Sequence, residues 1–575
     1  MAGFQQSPGV QIVEKDASGI IPGVSTSVGG TVGHFQWGPV AKPIFVSNEN
    51  ELASIFGKPT KTNFLSFFNA ADFLAYANAL YVVRADSASL LNATTDSGGI
   101  KFKNFDDYEA FVPNDGIGSG IFEFVARYPG VLGNGLTVSM ADAATFSTWI
   151  YKSEFDAAPG TSDFAIANAP AGTVYNDELH IVVIDRSGLF TGTRGAILEK
   201  FAFASKASNA LGFDGLSTYY PEVLKNRSNY IYWGDHPSDG SDWGQRVGSD
   251  KTDSFNSLSV VYSENLGGGA DYGQLTEADL ILALEQFRNE QDVEISLMPL
   301  AAPAGTNGKL LINAAAEIAQ DRLDFVVYAS VVSQAGVPIL AAQGDVVGKV
   351  KTFLDSAPLL NASTYLFLDS GYKYRYDRYN DRNIWVPLSG DMAGLSARTD
   401  STNDPWFSPG GYTRGIVKNV IKLGYNPNKA ERDQLYPLAV NPVISQPGAG
   451  TILFGDKTFT RKPSAFDRIN VRRLFIVLEK AIGTAAKFQL FEQNDAVTRN
   501  QFVSQVEPFL RDVQARRGID DFRVIADETN NTPDVIARNE FRGSILVKPV
   551  YSINFITLTF TAVGPNVSFE TAAAV

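Results

Sequence analysis

The chain reads EISLM at residues 294–298, LLINAAAEIAQ at 310–320 and FVVYA at 325–329, and it then continues with DVVGKVKTFLDS at 345–356 and YLFLD at 365–369. Short apolar runs alternate here with longer runs in which apolar residues recur at the helical period. Strands that alternate with helices predict a parallel sheet with right-handed crossovers. We therefore predict an α/β domain over residues 256–405.

The sequence before this domain falls into two regions that differ in composition and periodicity. Residues 23–86 predict a small α/β region that packs on the core, with a strand at Ala79–Ala85 and a helix from Asn48 to Phe56 that Ser47 or Asn48 caps. Residues 87–255 instead interleave Gly, Asp, Ser and Thr with short β runs such as Leu179–Asp185, and helical periodicity is weak. They predict one or two inserted β-rich domains.

The region after it, residues 406–549, predicts an α+β domain. Ser464 is a good N-cap for a helix from Phe466 to about Ala485, and a second helix runs from Thr498 to Arg517 with a kink at Pro508. Strands are expected at Phe522–Ala526 and Ser544–Lys548. The predicted fold class is thus multi-domain α+β with an α/β core.

The two chain ends, residues 1–22 and 550–575, read as extended arms. The run Ser552–Val563 is uncharged and strand-like, with no face that belongs to water. A strand of this kind must be covered or paired at its edge. We therefore predict that its partner lies in another copy of the chain. The residues predicted for strand exchange between subunits are Val10, Ile12, Val13, Ile545, Val547, Ile553, Phe555, Ile556, Leu558 and Phe560.

Composition excludes several classes of function. The net charge is −14, with 62 acidic and 48 basic residues, so an acidic surface argues against nucleic-acid binding. The chain has no cysteine, which excludes disulfides, thiolate metal sites and a cysteine nucleophile. We see neither an export signal nor an apolar run of about 18 residues, so no membrane insertion is expected.

Candidate catalytic residues are few. The three histidines, His34, His180 and His236, are scattered along the chain. The glycine-rich segments Gly130–Gly135 and Gly267–Gly269 lack the Lys-Ser/Thr of a phosphate loop and read as tight turns. The acidic segment at Asp527 does not have the ligand spacing of a calcium loop. We predict no catalytic site, no metal and no cofactor.

Six arginines stand out in this acidic chain. They are Arg468, Arg472, Arg473, Arg511, Arg516 and Arg517. They belong to the two C-terminal helices, where they form either solvated helix faces or a basic patch that meets an acidic partner.

Separated motifs give the chain a family resemblance. They are SPGV at 7–10, LYVVRA at 80–85, GNG at 133–135, LGGGAD at 266–271, WVPLSGDMAGL at 385–395, ARTD at 397–400, NPVI at 441–444, NVRRL at 470–474 and DETNN at 527–531. Their order and spread make the sequence similar to the tail sheath proteins of contractile-tailed, T4-like bacteriophages. Residues 87–255 carry little of this resemblance.

The resemblance implies a structural role. Sheath subunits form stacked hexameric rings around a tail tube, exchange terminal strands with their neighbours, and contract to drive the tube through the host envelope. It implies a C-terminal domain near the tube, which the six arginines would face, and outward-facing insertions. The implied partners are further copies of the chain, the tail tube protein, and baseplate and tail terminator proteins. The implied location is the virion, after assembly in the host cytoplasm.

Two other hypotheses remain at this point. A sheath could belong to a phage-derived bacterial injection particle instead of a phage. A virion-associated glycan hydrolase housed in residues 90–255 is a different class of function, for which two facing carboxylates would be needed.

Overall fold

The computed structural model describes residues 25–111, 122–168, 170, 172–301, 308–332, 337–554 and 556. These residues divide into two compact units. The core unit comprises Ser25–Thr402 and Pro409–Asp467, and the C-terminal unit comprises Asn403–Ser408 and the described residues from Arg468 onward.

Strands and helices follow one another along both units. The strands are β1 (Gly29–Gly33), β2 (Ile44–Val46), β3 (Leu80–Arg84), β4 (Phe124–Ala126), β5 (Leu136–Asp142), β6 (Glu178–Asp185), β7 (Ala196–Ser205), β8 (Ile231–Trp233), β9 (Tyr262–Asn265), β10 (Leu297–Pro299), β11 (Val326–Ser330), β12 (Leu366–Asp369), β13 (Tyr372–Asp377), β14 (Arg382–Pro387), β15 (Lys422–Leu423), β16 (Val440–Asn441), β17 (Val443–Gln446), β18 (Gly450–Leu453), β19 (Ile519–Ile525) and β20 (Ser544–Pro549). The helices are α1 (Glu49–Phe56), α2 (Phe64–Leu74), α3 (Phe105–Phe111), α4 (Asp163–Asn168), α5 (Tyr220–Arg227), α6 (Glu277–Leu284), α7 (Lys309–Arg322), α8 (Val346–Asp355), α9 (Ser389–Thr402), α10 (Gly411–Arg414), α11 (Lys429–Leu435), α12 (Ile469–Lys487), α13 (Ala496–Ala515) and α14 (Pro533–Ala537).

A seven-stranded sheet forms the centre of the core unit. Its strand order is β16-β12-β11-β10-β1-β3-β2, and every pair is parallel except β2 with β3. The parallel α/β sheet predicted from the alternating pattern is therefore present. The region 23–86, predicted to pack on this core, instead supplies three strands of the sheet, because β1 pairs with both β3 and β10.

A second, antiparallel sheet organises the inserted region. Its order is β7-β6-β5-β9, and aromatic and aliphatic side chains from these strands form a separate hydrophobic cluster. The strand content agrees with the β-rich texture of the sequence. The sheet includes β9, beyond residue 255, because Thr137–Met140 pair with Tyr262–Asn265.

Helices α12 and α13 pack on the β19–β20 pair to form the C-terminal unit. Leu474 and Leu478 from α12 join Val506 and Leu510 from α13 in its buried cluster. The predicted cap at Ser464 is wrong, because Ser464 Oγ accepts a hydrogen bond from Phe466 N in a turn and α12 begins five residues after Ser464, at Ile469. The local sequence predicted a helix cap at a position where the structure instead has a turn that precedes the helix.

Candidate assembly surface

The most distinctive surface of the C-terminal unit is the β19–β20 ribbon. The two strands are antiparallel, with Phe522 opposite Val547 and Val524 opposite Ile545, and a bulge interrupts the ladder between Ile519 and Asp521. Among the described residues neither strand has a second strand partner. Each strand therefore carries one open edge with backbone groups available for pairing.

The inner face of the ribbon belongs to the unit's own core. Phe522, Val524, Ile545 and Val547 pack against the cluster formed by α12 and α13. In an antiparallel pair alternate side chains face one side, and here that side is partly buried by the helices above it. The role of Ile545 and Val547 in exchange between subunits stays a prediction.

The chain leaves β20 as an exposed apolar segment. Tyr551 is 55% exposed, Ile553 is 81% exposed and Ile556 is 77% exposed. The described residues from Tyr551 to Ile556 are not in a strand, although the sequence predicts one from Ser552. A strand needs a neighbouring strand for its backbone ladder, and among the described residues this segment pairs with no strand.

Several predicted exchange residues are outside the described residues. They are Val10, Ile12, Val13, Phe555, Leu558 and Phe560. Their role in exchange stays a prediction.

The six arginines do not form one exposed patch. Arg472 and Arg473 are buried, and Arg472 Nη2 lies 3.0 Å from Glu479 Oε2. Arg468 is half-buried at the start of α12. From the sequence alone, these three arginines could equally belong to an exposed helix face. In the structure, however, α12 is covered over most of its circumference.

The other three arginines are exposed near the end of α13. Arg511 pairs with Glu507 at 3.0 Å. Arg516 lies 2.6 Å from Asp404 and 2.8 Å from Asp512, while Arg517 follows the helix. Only this group remains a candidate for contact with a partner.

The three histidines lie apart and are structural. His34 Nε2 lies 3.6 Å from Asp279, His180 stacks on Phe155, and His236 contacts Tyr220 through a ring nitrogen. Burial lowers the pKa of His34 and of His236 to about 4, and it also lowers the pKa of His180. All three are neutral at pH 7 and none is placed for acid–base catalysis with another.

The two glycine-rich segments bind each other. Asn134 Nδ2 donates to Gly269 O at 2.9 Å, and Gly269 N donates back to Asn134 Oδ1 at 2.8 Å. Asp271 accepts a hydrogen bond from Val131 N at 2.8 Å. The tight turn predicted at Gly130–Gly135 is a short 3-10 helix over Val131–Gly135, which these hydrogen bonds join to the second segment.

At the edge of the parallel sheet where α/β proteins bind ligands, described polar side chains hydrogen-bond to other parts of the protein. Ser389, the first residue of α9, donates a hydrogen bond through Oγ to Leu300 O at 2.8 Å, and its Oγ also bonds Asn69 Oδ1. Ser330 Oγ donates to Asp369 Oδ2 at 2.8 Å. In the described ranges no group of His, Asp or Glu could hold a metal ion.

One buried cluster was not singled out from the sequence. Asp72 of α2 and Asp391 of α9 enclose Lys373 of β13, and Arg375 pairs with Asp72. Its members are up to 319 positions apart, so no local pattern could join them. The only available signal was Asp391 inside the SGDMAG motif.

The chain is similar to known protein families and to known proteins. Three family models match: the phage tail sheath protein central domain over residues 273–459, the phage tail sheath C-terminal domain over 461–562, and the N-terminal region of tail sheath protein Gp18 domain III over 26–85. The tail sheath protein of Vibrio phage KVP40 is 32% identical, with 98% of this chain and 99% of that protein covered. This chain belongs to the phage tail sheath protein family.

Another relative and a solved structure agree with this assignment. The tail sheath protein of Enterobacteria phage T4 is 32% identical, with 98% of each chain covered. The crystal structure of a sheath tail protein from Listeria innocua shares the fold at 11% identity, with a TM-score of 0.52 and coverage of 88% of this chain and 90% of that chain.

Family membership confirms the main resemblance. The sheath protein is a structural component of a contractile phage tail, which belongs to the virion, and it is not an enzyme. In the part of the chain that the structure describes, no helix is both long and apolar enough to span a membrane.

Proposed function

We propose that the sheath protein polymerises into stacked hexameric rings around the tail tube by exchanging terminal strands between subunits. Contraction of this polymer then drives the tube through the host envelope. The observation that carries the proposal is the β19–β20 ribbon, whose two edges have no further strand partner among the described residues and which is followed by the exposed residues Tyr551, Ile553 and Ile556.

Strand exchange would complete this ribbon. An extended segment can add to an open edge, where backbone hydrogen bonds give affinity and alternate side chains give specificity. Ile553, Phe555, Ile556, Leu558 and Phe560 from one subunit, and Val10, Ile12 and Val13 from another, are the proposed added strands. Leu546 on β20 is exposed and lies on the face of the ribbon that the helices do not cover. Strands added at the edges would leave this face uncovered.

The distribution of charge along the chain supports contact between subunits through the C-terminal unit. Residues 468–575 contain 13 basic and 12 acidic residues, whereas residues 1–467 contain 35 basic and 50 acidic residues. Copies repel each other least where the net charge is near zero. The nearly neutral part of the chain is therefore the part best suited to close contact between copies.

We also propose partners beyond further copies of the chain. Exposed Arg511, Arg516 and Arg517 are the remaining candidates for a surface that meets the tail tube protein. Baseplate and tail terminator proteins would bind the ends of the polymer, and assembly would take place in the host cytoplasm. A phage rather than a bacterial injection particle is favoured because the 32%-identical relatives are phage proteins.

Deletion of residues 551–575 tests the proposal. The cut preserves β20 and also Val550, whose amide donates to Gly518 O at 3.2 Å. We expect a folded monomer by light scattering and no tubes by negative-stain microscopy, while the full chain forms tubes. A matched deletion of residues 566–575, which spares the apolar run, should still assemble. Tubes from the longer deletion would refute strand exchange.

A further inference from the structure

The ammonium group of Lys373 is enclosed by two carboxylates inside the core unit. Nζ lies 2.8 Å from Asp391 Oδ1 and 2.8 Å from Asp391 Oδ2, and it lies 3.0 Å from Asp72 Oδ1. These three side chains are at most 1% exposed. Because Nζ is equally close to both oxygens of Asp391, it faces the carboxyl carbon between them.

The two carboxylates have different surroundings. Asp72 is paired with the guanidinium of Arg375, which also stacks over the ring of Phe68 at 4.4 Å. Asp391 instead accepts a hydrogen bond from Tyr76 Oη at 2.9 Å through Oδ1. Burial raises the pKa of Asp391 to about 7, so its protonated form is populated near neutral pH.

We propose that Lys373 and Asp391 react to form an intramolecular amide bond. The ammonium gives one proton to Asp391, and the neutral amine then attacks the carboxyl carbon. The Nζ–Cγ bond forms, and the bond from Cγ to Oδ2 breaks. Asp72 takes the second amine proton and passes it to the departing hydroxyl, which leaves as water. The step needs no oxidant, reductant or further reactant.

Other contacts in the cluster fit this reaction. Tyr76 Oη is placed to hold Oδ1 as negative charge develops on it. Asp391 Oδ2, the departing oxygen, lies 2.8 Å from Nζ and has no other hydrogen-bond partner among the described residues. Lys418 O, 3.2 Å from Nζ, is available to accept the one N–H that remains in the amide.

The bond would join β13 to α9 within the core. Asp391 is the third residue of α9, the helix that packs over the ends of the parallel strands, and Lys373 is the second residue of β13. A covalent link there keeps α9 on the three-stranded sheet β14-β13-β15, to which β13 belongs, when force acts on the subunit.

A second buried lysine provides an internal comparison. Lys206 Nζ lies 2.9 Å from Asp142 Oδ2, and both side chains are buried, but it is in contact with only one carboxylate among the described residues. Without a second carboxylate to move the proton, this pair stays an ion pair.

Intact-mass measurement of the denatured full chain tests the proposal. We expect a mass 18 Da below that of the sequence, from one lost water. Trypsin should then yield a branched species in which residues 352–375, uncut at Lys373, are joined to residues 383–398. Peptide mapping is decisive because succinimide formation at Asp214-Gly215 or Asp239-Gly240 also removes 18 Da. The lysine and aspartate peptides around Lys206 and Asp142 should be unlinked.

Two variants distinguish the role of Asp391 as a reactant from the role of Asp72 as the proton carrier. Asp391→Ala removes the carboxyl carbon and should abolish the branched species completely. Asp72→Asn retains both reactants, and we expect at least a tenfold lower linked fraction in protein that circular dichroism shows to be folded. Full linkage in Asp72→Asn would refute its role. Unlinked peptides ending at Lys373 in the natural chain would overturn the proposal whether or not either variant folds.

Discussion

Lys206 Nζ and Asp142 Oδ2 lie 2.9 Å apart inside the inserted region, and neither side chain reaches solvent. Asp142 ends β5, and Lys206 directly follows β7, so the pair ties together two strands that do not hydrogen-bond to each other. The ammonium also donates to Asn256 O at 3.1 Å and lies 4.7 Å from the ring of Trp243.

Breaking this pair is expected to destabilise the protein strongly. Lys206→Met leaves the carboxylate of Asp142 buried without its cation, which costs about 3–5 kcal/mol. Chemical denaturation followed by tryptophan fluorescence measures the loss. Lys429→Met is the matched control, because Lys429 and Asp433 form an exposed pair in α11 that contributes at most about 0.5 kcal/mol. Equal effects of the two substitutions would contradict this assignment.

Contact between α2 and α9 requires glycine at position 390. A Cβ there would lie 2.3 Å from the backbone oxygen of Asn69, so Gly390→Ala should cost about 1–3 kcal/mol by overpacking. Gly483→Ala in α12 is the control, because a Cβ there meets nothing within 4 Å. We expect that substitution to stabilise the unit by about 0.5–1 kcal/mol through helix propensity. Thermal unfolding of the two variants distinguishes the sites.

The alternation along β20 makes neighbouring residues respond differently to a charge. Val547→Asp buries a carboxylate against the cluster of the C-terminal unit and should destabilise the monomer by more than about 2 kcal/mol. Leu546→Asp changes a side chain that is 57% exposed and should stay within about 0.5 kcal/mol of the natural chain. Urea unfolding of non-assembled protein provides both values, and the reverse order would refute the register of the ribbon.

Asp369 should make stability fall as pH rises. Burial raises its pKa to about 7 in the folded chain, against 3.8 without burial. Its contribution is complete below pH 3.8 and is lost as pH rises through about 7, because the folded state must then ionise a buried acid. Asp369→Asn removes this dependence. We expect the melting temperature of the natural chain, minus that of the variant, to decrease between pH 5 and pH 8.

His236 should act in the opposite direction. Its pKa is lowered to about 4 by burial, from 6.5, so the unfolded chain binds its proton first as pH falls. Stability from this group is present above pH 6.5 and is lost as pH falls towards 4. His236→Gln should therefore reduce the decrease in melting temperature between pH 7 and pH 4. An unchanged acid response would show that His236 is accessible to protons in the fold.

Local sequence predicted those elements whose signals lie within a few residues of each other. Asn48 caps α1 as expected, because its side chain and the Glu51 amide are three positions apart. Long-range placement was harder: β1, with three glycines among its five residues, carries no apolar strand signal, yet it lies in the middle of the main sheet.

The sequence by itself determined the alternating α/β pattern, the apolar run near the chain end and the resemblance to the phage tail sheath family. It could do so because helical period, strand composition and motif order are properties of the chain as it is written. Only the tertiary structure decided that Ile545 and Val547 face their own core, that Arg472 and Arg473 are buried, and that Asp72 and Asp391 meet at Lys373. Burial and charge pairing depend on which surfaces pack together, and those surfaces come from segments hundreds of residues apart.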